Sequence, residues 1–242
     1  MHHEATPVKS KASSGGHESE VSPFSSSHYQ GAHGSDYFAW QDGNAGFTSH
    51  LEARKFARYV KSSDHVLDFG CGGGHILRNL NCARKVGVEV NPFARASAIN
   101  AGLDCRESLM DIEDDAFHVV LSHHSLEHVE NPIQVLRTLR QKLVPSGLAV
   151  IYLPVDDWRT QRRYDATDVN HHLHTWTPQL LGNSLLESGF QSDQFSIRIV
   201  THALFPGIAK AQNWLPAPVV DAGCWIFSIA AKRRQLLAIA RK

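Results

Sequence analysis

A loop of alternating glycines is the part of this sequence whose residue types and spacing best suit the binding of a ligand. Residues 66–74 read VLDFGCGGG, in which Asp68, Gly70, Gly72 and Gly74 alternate with other residues. Because glycine carries no side chain, backbone N–H groups in such a loop can approach a ligand closely. The start of a following helix favours a carboxylate or a phosphate there. The loop therefore predicts a site for a ligand that carries such a group.

An acidic residue stands where a second part of the ligand would bind. Glu89 follows Asp68 by 21 residues, at the predicted end of the next strand. In an open α/β sheet, an acidic residue at this place accepts hydrogen bonds from both hydroxyls of a ribose. The two features predict an adenosine-containing ligand. A nicotinamide or flavin dinucleotide is the alternative, although its G-x-G-x-x-G pattern, started at Gly70, requires glycine or alanine where this sequence has His75.

The elements that carry these residues alternate between short apolar runs and amphipathic segments. The predicted strands are 65–69, 85–90, 103–106, 117–122, 148–153, 194–200 and 224–231, and helices are predicted from His75, Pro92, Pro132 and Pro178. This rhythm indicates βαβ units and a parallel sheet. The last connection lacks a crossover helix pattern, which indicates an antiparallel pairing. We predict an α/β fold with a Rossmann-like, seven-stranded, mostly parallel sheet, helices on both faces and an antiparallel last strand.

Composition divides the chain into three parts. Residues 1–34 are rich in Ser, Gly, His and Glu, and we predict a disordered tail because they cannot recover their ordering entropy by burial. Residues 35–62 combine aromatic residues with a helical pattern and form a predicted cover segment. Residues 63–235 carry the alternating strands and helices of the predicted catalytic domain, with an insertion around 201–222.

Charge and cysteine usage restrict the partners. Lys plus Arg equals Asp plus Glu at 24 each, so the chain has no bulk field that would draw it to nucleic acid, and a small molecule is the expected partner. The four cysteines contain no C-x-x-C pair, which is typical of a reducing cytoplasm. The apolar run 224–231 is too short to span a bilayer. Oligomeric state cannot be predicted from these features.

Five segments in order resemble the motifs of one family. They are LDFGCGGG, VGVEVNP, FHVVLSHHSLEHVENP, LVPSGLAVIYLP and HLHTWTPQLLGNSLLESGF. The sequence from about residue 63 to 233 resembles class I S-adenosylmethionine-dependent methyltransferases. Within that family it is similar to the small-molecule branch of ubiquinone and menaquinone biosynthesis methyltransferases, with a type 11 or type 23 methyltransferase domain. The resemblance implies S-adenosyl-L-methionine as the cofactor and methyl transfer as the reaction.

The resemblance also implies residue roles at the cofactor. The methionine end of the cofactor would lie against Asp68 and the backbone of Gly70, Cys71 and Gly72, and the ribose against Glu89.

Further roles are implied by loops after the third and fourth strands. Ser108 and Leu109 would flank the adenine. Ser122 and His123, at the end of the fourth strand, would lie beside the sulfonium and its methyl group.

Two histidine-rich segments, SHHSLEHV and NHHLHTW, supply candidate catalytic bases. If the methyl acceptor is a hydroxyl or a carbon acid, a base must remove its proton, and imidazole titrates near neutral pH. We predict His124, His128 and His172 as the candidates. Each could instead brace or pack a loop, and the histidines together could bind a divalent metal. Because no clear trio of Asp and Asn residues accompanies them, we predict no metal site.

The predicted reaction is methyl transfer to oxygen or carbon of a metabolite, a sugar, or a quinone or lipid precursor. In such a displacement the protein mainly aligns the nucleophile, the methyl group and the sulfur in a dry pocket. Four residues of the cover segment would fold over the cofactor or shield a sheet edge: Tyr37, Phe38, Trp40 and Gln41. The alternatives are a catalytically silent module that binds S-adenosylmethionine and an oxidoreductase that uses NAD(P).

Overall fold

A computed structural model describes residues 27–29, 31–155, 162–201, 207–208 and 214–242, without the side chains of residues 27 and 44–48. Its strands are β1 His65–Phe69, β2 Arg84–Val88, β3 Asp104–Arg106, β4 Phe117–His123, β5 Leu143–Pro154, β6 Phe195–Thr201 and β7 Arg234–Arg241. Its helices are α1 Gly31–Ala57, α2 His75–Arg78, α3 Pro92–Asn100, α4 Pro132–Lys142, α5 Pro178–Glu187 and α6 Ala217–Ala230.

The seven strands form one sheet in the order β3-β2-β1-β4-β5-β7-β6. Neighbouring strands from β3 to β5 are parallel. Strand β7 is antiparallel to both β5 and β6. The strand order changes direction between β1 and β4, which is where open α/β sheets form a crevice at the carboxyl ends of the strands. The predicted fold class is confirmed.

Alternate residues of the central strands bury the two faces of the sheet. Leu67 and Val120 pack on one face with apolar residues of α4 and α5. Val66 and Leu121 pack on the other face with Phe56 of α1. All five side chains are fully buried. The period of two along each strand explains why these strands read as continuous apolar runs.

Helix starts follow the capping rules. Asn91 accepts hydrogen bonds from the N–H groups of Phe93 and Ala94, directly before Pro92 in the first turn of α3. Thr177 accepts one from Leu180 at the start of α5. A short polar side chain followed by proline satisfies N–H groups that have no partner within the helix. These caps fix where each chain segment leaves the strand ends that form the site.

The predicted strand at 224–231 is wrong. This apolar run belongs to α6, whose buried side includes Val220 and Ser228. The last strand is Arg234–Arg241, directly after the helix. An apolar run of this length does not distinguish a strand from a buried helix by periodicity. No helix among the described residues is long and apolar enough to cross a bilayer.

Two boundaries at the carboxyl end shift as a result. The predicted domain end at 235 falls inside β7, and the sheet continues to Arg241. The predicted insertion around 201–222 also extends further, because α6 ends at Ala230. Residues 202–206 and 209–213 of that insertion lie outside the described part of the chain.

The structure also corrects the boundary of the predicted tail at residue 34. Helix α1 begins at Gly31, and Tyr29 before it is only 6% exposed. The side-chain amide of Asn91 donates a hydrogen bond to the backbone oxygen of Gly34 at 2.8 Å, which holds the start of α1 against the sheet. The tail prediction for residues 1–26 lies outside the described residues.

Candidate active site

Two adjoining cavities lie at the carboxyl ends of β1, β2 and β4. Together with the solvent at their open mouths, the first cavity encloses about 720 Å³ and the second about 1250 Å³. Five residues line both cavities and form the passage between them: Tyr37, Gln41, Gly70, His124 and His128. In an open α/β sheet, a concave site at the carboxyl ends of the strands is where ligands bind.

Glu89 lies in the wall of the first cavity in a fixed orientation. Its Oε2 accepts the N–H of Gly72 and its Oε1 accepts the N–H of Asn91, each at 2.8 Å. Burial raises the pKa of Glu89, and these N–H groups partly offset the increase. Each carboxylate oxygen retains a further lone pair. The side chain can therefore accept two hydrogen bonds from a ligand with little rearrangement.

Ser108 and Leu109 line the same cavity. The Oγ of Ser108 accepts the N–H of Met110 at 3.1 Å and so caps a short 3-10 turn after β3. Leu109 in that turn is buried. An apolar side chain next to a capped turn provides a flat, rigid wall of the kind that an aromatic base can pack against.

Three N–H groups of the glycine loop donate hydrogen bonds to acceptors within the protein. Those of Gly70 and Cys71 donate to the carbonyl of Val88, at 2.8 and 3.2 Å. That of Gly72 donates to Glu89. Helix α2 has only four residues, so its dipole is small. These amides therefore connect β1 to β2 and orient the acidic residue.

The loop needs glycine for steric reasons instead. Gly70 and Gly72 have φ of 72° and 55°, in the left-handed region. A Cβ at Gly70 would overlap the side chain of Ser125, and one at Gly72 would lie 3.2 Å from Gln41. Cys71 is among the residues that line the second cavity, and its sulfur lies 3.5 Å from that of Cys105.

Asp68 lies at the end of β1 and lines the second cavity, although only 2% of it is exposed. Burial, followed by the nearby charge of Glu89, raises the pKa of Asp68 to about 7. A cationic ligand would favour the ionised form and reverse this shift. The carboxyl group is thus suited to the ammonium group at the methionine end of the cofactor.

Helix α1 forms a cover over both cavities. Tyr37 and Gln41 line both of them, and Phe38 and Trp40 line the second. The imidazole Nε2 of His75 lies 2.7 Å from Oδ1 of Asp42 and joins the glycine loop to this helix. His75, the residue that departs from the dinucleotide pattern, therefore has a structural partner.

Of the two residues expected beside the sulfonium, only one lines a cavity. His123 lies in the second cavity, with its Nε2 3.2 Å from Oε2 of Glu52. Burial alone would raise the pKa of Glu52, but Lys55 and His123 outweigh it and hold that pKa well below its usual range. Ser122 is fully buried and lines neither cavity. Successive strand residues face opposite sides, which explains the difference.

The three predicted bases meet at the second cavity. His124 has φ of 53°, and its Nε2 donates to the side-chain oxygen of Gln235 at 3.2 Å. The rings of His128 and His172 have their centroids 5.0 Å apart. Burial, followed by the charge of His172, lowers the pKa of His128 to about 4. At neutral pH, His128 is therefore an uncharged imidazole.

Glu127 is a site residue that the sequence reasoning missed. It is fully buried, lines the second cavity, and lies beside His128 and His172. The signal was present, because Glu127 stands in the quoted segment SLEHV directly before His128. Only the histidines of that segment were counted as candidates.

The fold and the acidic strand ends define an α/β domain for an adenosine-containing ligand. Residues 46–194, more than half of the chain, match the family model described as a methyltransferase domain. The chain belongs to this methyltransferase family. Its cofactor is S-adenosylmethionine, and the buried Asp68 and Glu89 fit the ammonium and ribose groups of that molecule.

Curated relatives match part of the chain. A ubiquinone biosynthesis O-methyltransferase from Roseobacter denitrificans is 38% identical over 96 residues, covering 35% of this chain and 39% of that protein. An uncharacterized methyltransferase from Schizosaccharomyces pombe is 34% identical over 106 residues, covering 39% and 41%. The matched region thus spans about two fifths of the length of these relatives.

Solved structures share the fold across most of the chain. A putative methyltransferase from Haloferax volcanii, solved with the activator Trm112, has a TM-score of 0.60 at 18% identity and covers 85% of this chain and 97% of its own. Phosphoethanolamine N-methyltransferase 2 from Haemonchus contortus, in complex with S-adenosyl-L-methionine, has a TM-score of 0.59 at 13% identity and covers 88% and 58%.

Proposed function

We propose that this protein transfers a methyl group from S-adenosylmethionine to an oxygen or carbon atom of a small molecule. The observation that carries the proposal is the passage between the cavities, which Gly70 and His124 line on both sides. It connects the cavity that holds Glu89 to the cavity that holds the histidine cluster. A methyl group on a cofactor bound at Asp68 and Glu89 would face an acceptor in the second cavity.

The cofactor-binding roles follow from the contacts described above. Asp68 binds the ammonium group, Glu89 accepts hydrogen bonds from the ribose, and Ser108 and Leu109 enclose the adenine. Gly70 leaves room for the sulfonium beside Ser125. Bound S-adenosylmethionine supplies the activated methyl group.

The protein contributes alignment and proton transfer. Helix α1 covers the site and excludes water from the reacting atoms. The cavity walls hold the acceptor in line with the carbon–sulfur bond that breaks. An acceptor hydroxyl loses its proton to a nearby imidazole, and His124, His128 and His172 are the candidates. A base with a pKa near 4, such as His128, is weak at neutral pH, which favours His124 and His172 in this role.

The acceptor class follows from the cavity and from the relatives. The second cavity combines imidazoles with aromatic residues of α1, such as Phe38 and Trp40, which suits a flat acceptor that carries a hydroxyl group. The name of the Roseobacter relative describes O-methylation in quinone biosynthesis. We therefore propose an aromatic or quinone-like hydroxyl as the acceptor.

Two measurements test the proposal. Calorimetric titration with S-adenosylmethionine, S-adenosylhomocysteine and NADH should show binding of the first two ligands alone. Incubation with a metabolite extract should then convert S-adenosylmethionine to S-adenosylhomocysteine, and mass spectrometry should find a metabolite that has gained a methyl group. Cofactor binding without turnover in any extract would instead indicate a silent binding module, and tight binding of NADH alone would overturn the assignment.

A further inference from the structure

Three side chains that can ligate a metal converge at the wall of the second cavity. Glu127 and His128 lie in the short turn after β4, and His172 lies in the loop before α5. One ligand atom from each lies within 4.8 Å of the others. We call these three residues the Glu127 cluster.

Backbone hydrogen bonds hold the two segments of the Glu127 cluster together. The carbonyl of Glu127 accepts the N–H groups of Leu173 and His174, at 2.8 and 3.1 Å. The side chain of His174 also donates to the carbonyl of Val129 at 2.8 Å. These hydrogen bonds therefore fix the positions of the two segments that carry the cluster.

Tyr29 contacts the ring of His128 at one nitrogen. The hydroxyl of Tyr29 donates to the backbone oxygen of Asn170 at 2.9 Å, and its oxygen lies 2.6 Å from Nδ1 of His128. In the tautomer that donates from Nδ1 to this oxygen, Nε2 carries the lone pair that a metal ion would use. Metal-ligating histidines are held in the same way, with the second nitrogen donating to an oxygen.

His128 lies beside a buried carboxylate. Its Nε2 is 3.8 Å from Oε1 of Glu127, which is longer than a hydrogen bond. Ligand atoms about 2.1 Å from a common metal ion lie about 3 to 4 Å apart. A carboxylate oxygen and an imidazole nitrogen at this separation can ligate one ion, and the ligand atom of His172 lies within 4.8 Å of both.

We propose that the Glu127 cluster binds one divalent transition-metal ion, with its open coordination positions facing the second cavity. Three protein ligands and an open position are the composition of catalytic metal sites. Two imidazoles and one carboxylate favour zinc, manganese or iron over magnesium and calcium, which prefer oxygen ligands. This departs from the expectation, drawn from the sequence, that the chain has no metal site.

The role of the ion rests on the proposed function. An ion held by Glu127, His128 and His172 would lower the pKa of an acceptor hydroxyl. With His172 as a ligand, the proton would pass to His124, the candidate base outside the cluster, and then to solvent. The acceptor oxygen then forms a bond to the methyl carbon as the carbon–sulfur bond breaks. The electron pair of that bond goes to sulfur, which becomes neutral, and the metal is unchanged.

The test is direct metal binding by the full chain, in the absence of any acceptor. After removal of metals with a chelator, titration with zinc, manganese and magnesium chlorides should show a site at one ion per chain that prefers zinc. Glu127→Gln and His172→Ala should each weaken this site at least tenfold. His171→Asn is the matched control, because its backbone at φ of 49° accommodates asparagine and His171 lies outside the cluster.

The variants separate this site from other histidines of the chain, such as His2 and His3. Retained binding of S-adenosylhomocysteine shows that each variant is folded. Equal metal binding by the parent protein and Glu127→Gln would overturn the site. Turnover that persists in full after chelation would overturn its role in catalysis, whereas failure to find any methyl acceptor would count against the proposed function and leave the metal measurement intact.

Discussion

At the scale of single residues, the two buried acids at the strand ends lie in different environments. Glu89 has backbone donors on both oxygens and behaves as a fixed acceptor. Asp68 lies 2% exposed at the wall of the second cavity, and its pKa is close to neutrality. The environment of Glu89 therefore suits the binding of hydroxyl groups, and that of Asp68 suits the binding of a positive charge.

Replacing Glu89 tests the ribose assignment. Glu89→Ala should weaken the binding of S-adenosylhomocysteine by about 1 to 3 kcal/mol, because a charged acceptor of two hydrogen bonds is lost. Calorimetry measures the dissociation constant. Glu107→Ala is the control, since Glu107 lines the same cavity but pairs with Arg95 at the surface. Equal effects of the two substitutions would argue against a specific role for Glu89.

Replacing Asp68 tests its raised pKa. In the cofactor-free protein the folded carboxyl holds its proton up to about pH 7, whereas the unfolded one releases it near pH 3.8. The folded state binds more protons over this interval, so its stability decreases as the pH rises through it. Asp68→Asn lacks this loss and should gain up to about 4 kcal/mol relative to the parent between pH 4 and pH 7.5.

Urea unfolding at several pH values measures this difference, and the contribution of His128 cancels because both proteins contain it. A constant difference across the pH range would show that the pKa of Asp68 is not raised. Asp68→Asn should also bind S-adenosylmethionine more weakly above pH 7, since the negative charge opposite the ammonium group is absent.

At the scale of elements, the glycine loop and helix α1 together shape the site. The glycine loop packs against the side chains of Ser125 and Gln41. The hydrogen bond between His75 and Asp42 joins the loop to α1. The sequence indicated the glycine loop, and residues of the predicted cover segment line both cavities. It did not indicate that the loop N–H groups have partners within the protein, because such partners come from β2, which is distant in sequence.

Gly70→Ala separates close packing from backbone strain. Gly70 and Gly102 both have positive φ, at 72° and 85°. A Cβ at Gly70 would overlap Ser125, whereas a Cβ at Gly102 would meet nothing within 4 Å. Left-handed strain should cost each variant about 1 to 2 kcal/mol of stability, and the overlap with Ser125 should add to the loss in Gly70→Ala. Gly70→Ala alone should also lower the affinity for S-adenosylhomocysteine, by tenfold or more in calorimetry. Similar affinities in the two variants would contradict the packing argument.

At the scale of the whole molecule, the mostly parallel sheet with helices on both faces followed from the alternation of apolar runs and amphipathic segments. The last strand did not, because residues 224–231 are more apolar than Arg234–Arg241, which begins and ends with charged residues. The residues of the second cavity were likewise predicted only in part. Histidines were found by type, whereas Glu127 became a candidate only when the fold placed it against His172.

Cofactor binding should stabilise the entire domain, because the two cavities join β1, β2, β4 and α1. At a concentration of S-adenosylhomocysteine one hundred times its dissociation constant, the gain is about 2.7 kcal/mol. For a chain of this length, the midpoint of thermal unfolding should rise by about 5 to 11 °C. Scanning calorimetry measures the shift, with NADH at the same concentration as the control. An equal shift with NADH would support a dinucleotide as the ligand instead.

The crowding around the glycines has a consequence for inherited variation. A side chain at Gly70 would overlap Ser125, one at Gly74 would overlap Leu103, and one at Gly34 would overlap the backbone of Tyr29. Every missense change in a glycine codon adds a side chain. These three codons should therefore tolerate no missense change without damage to the fold or the site. Gly43 should tolerate substitution, because a Cβ there has no neighbour within 4 Å among the described atoms.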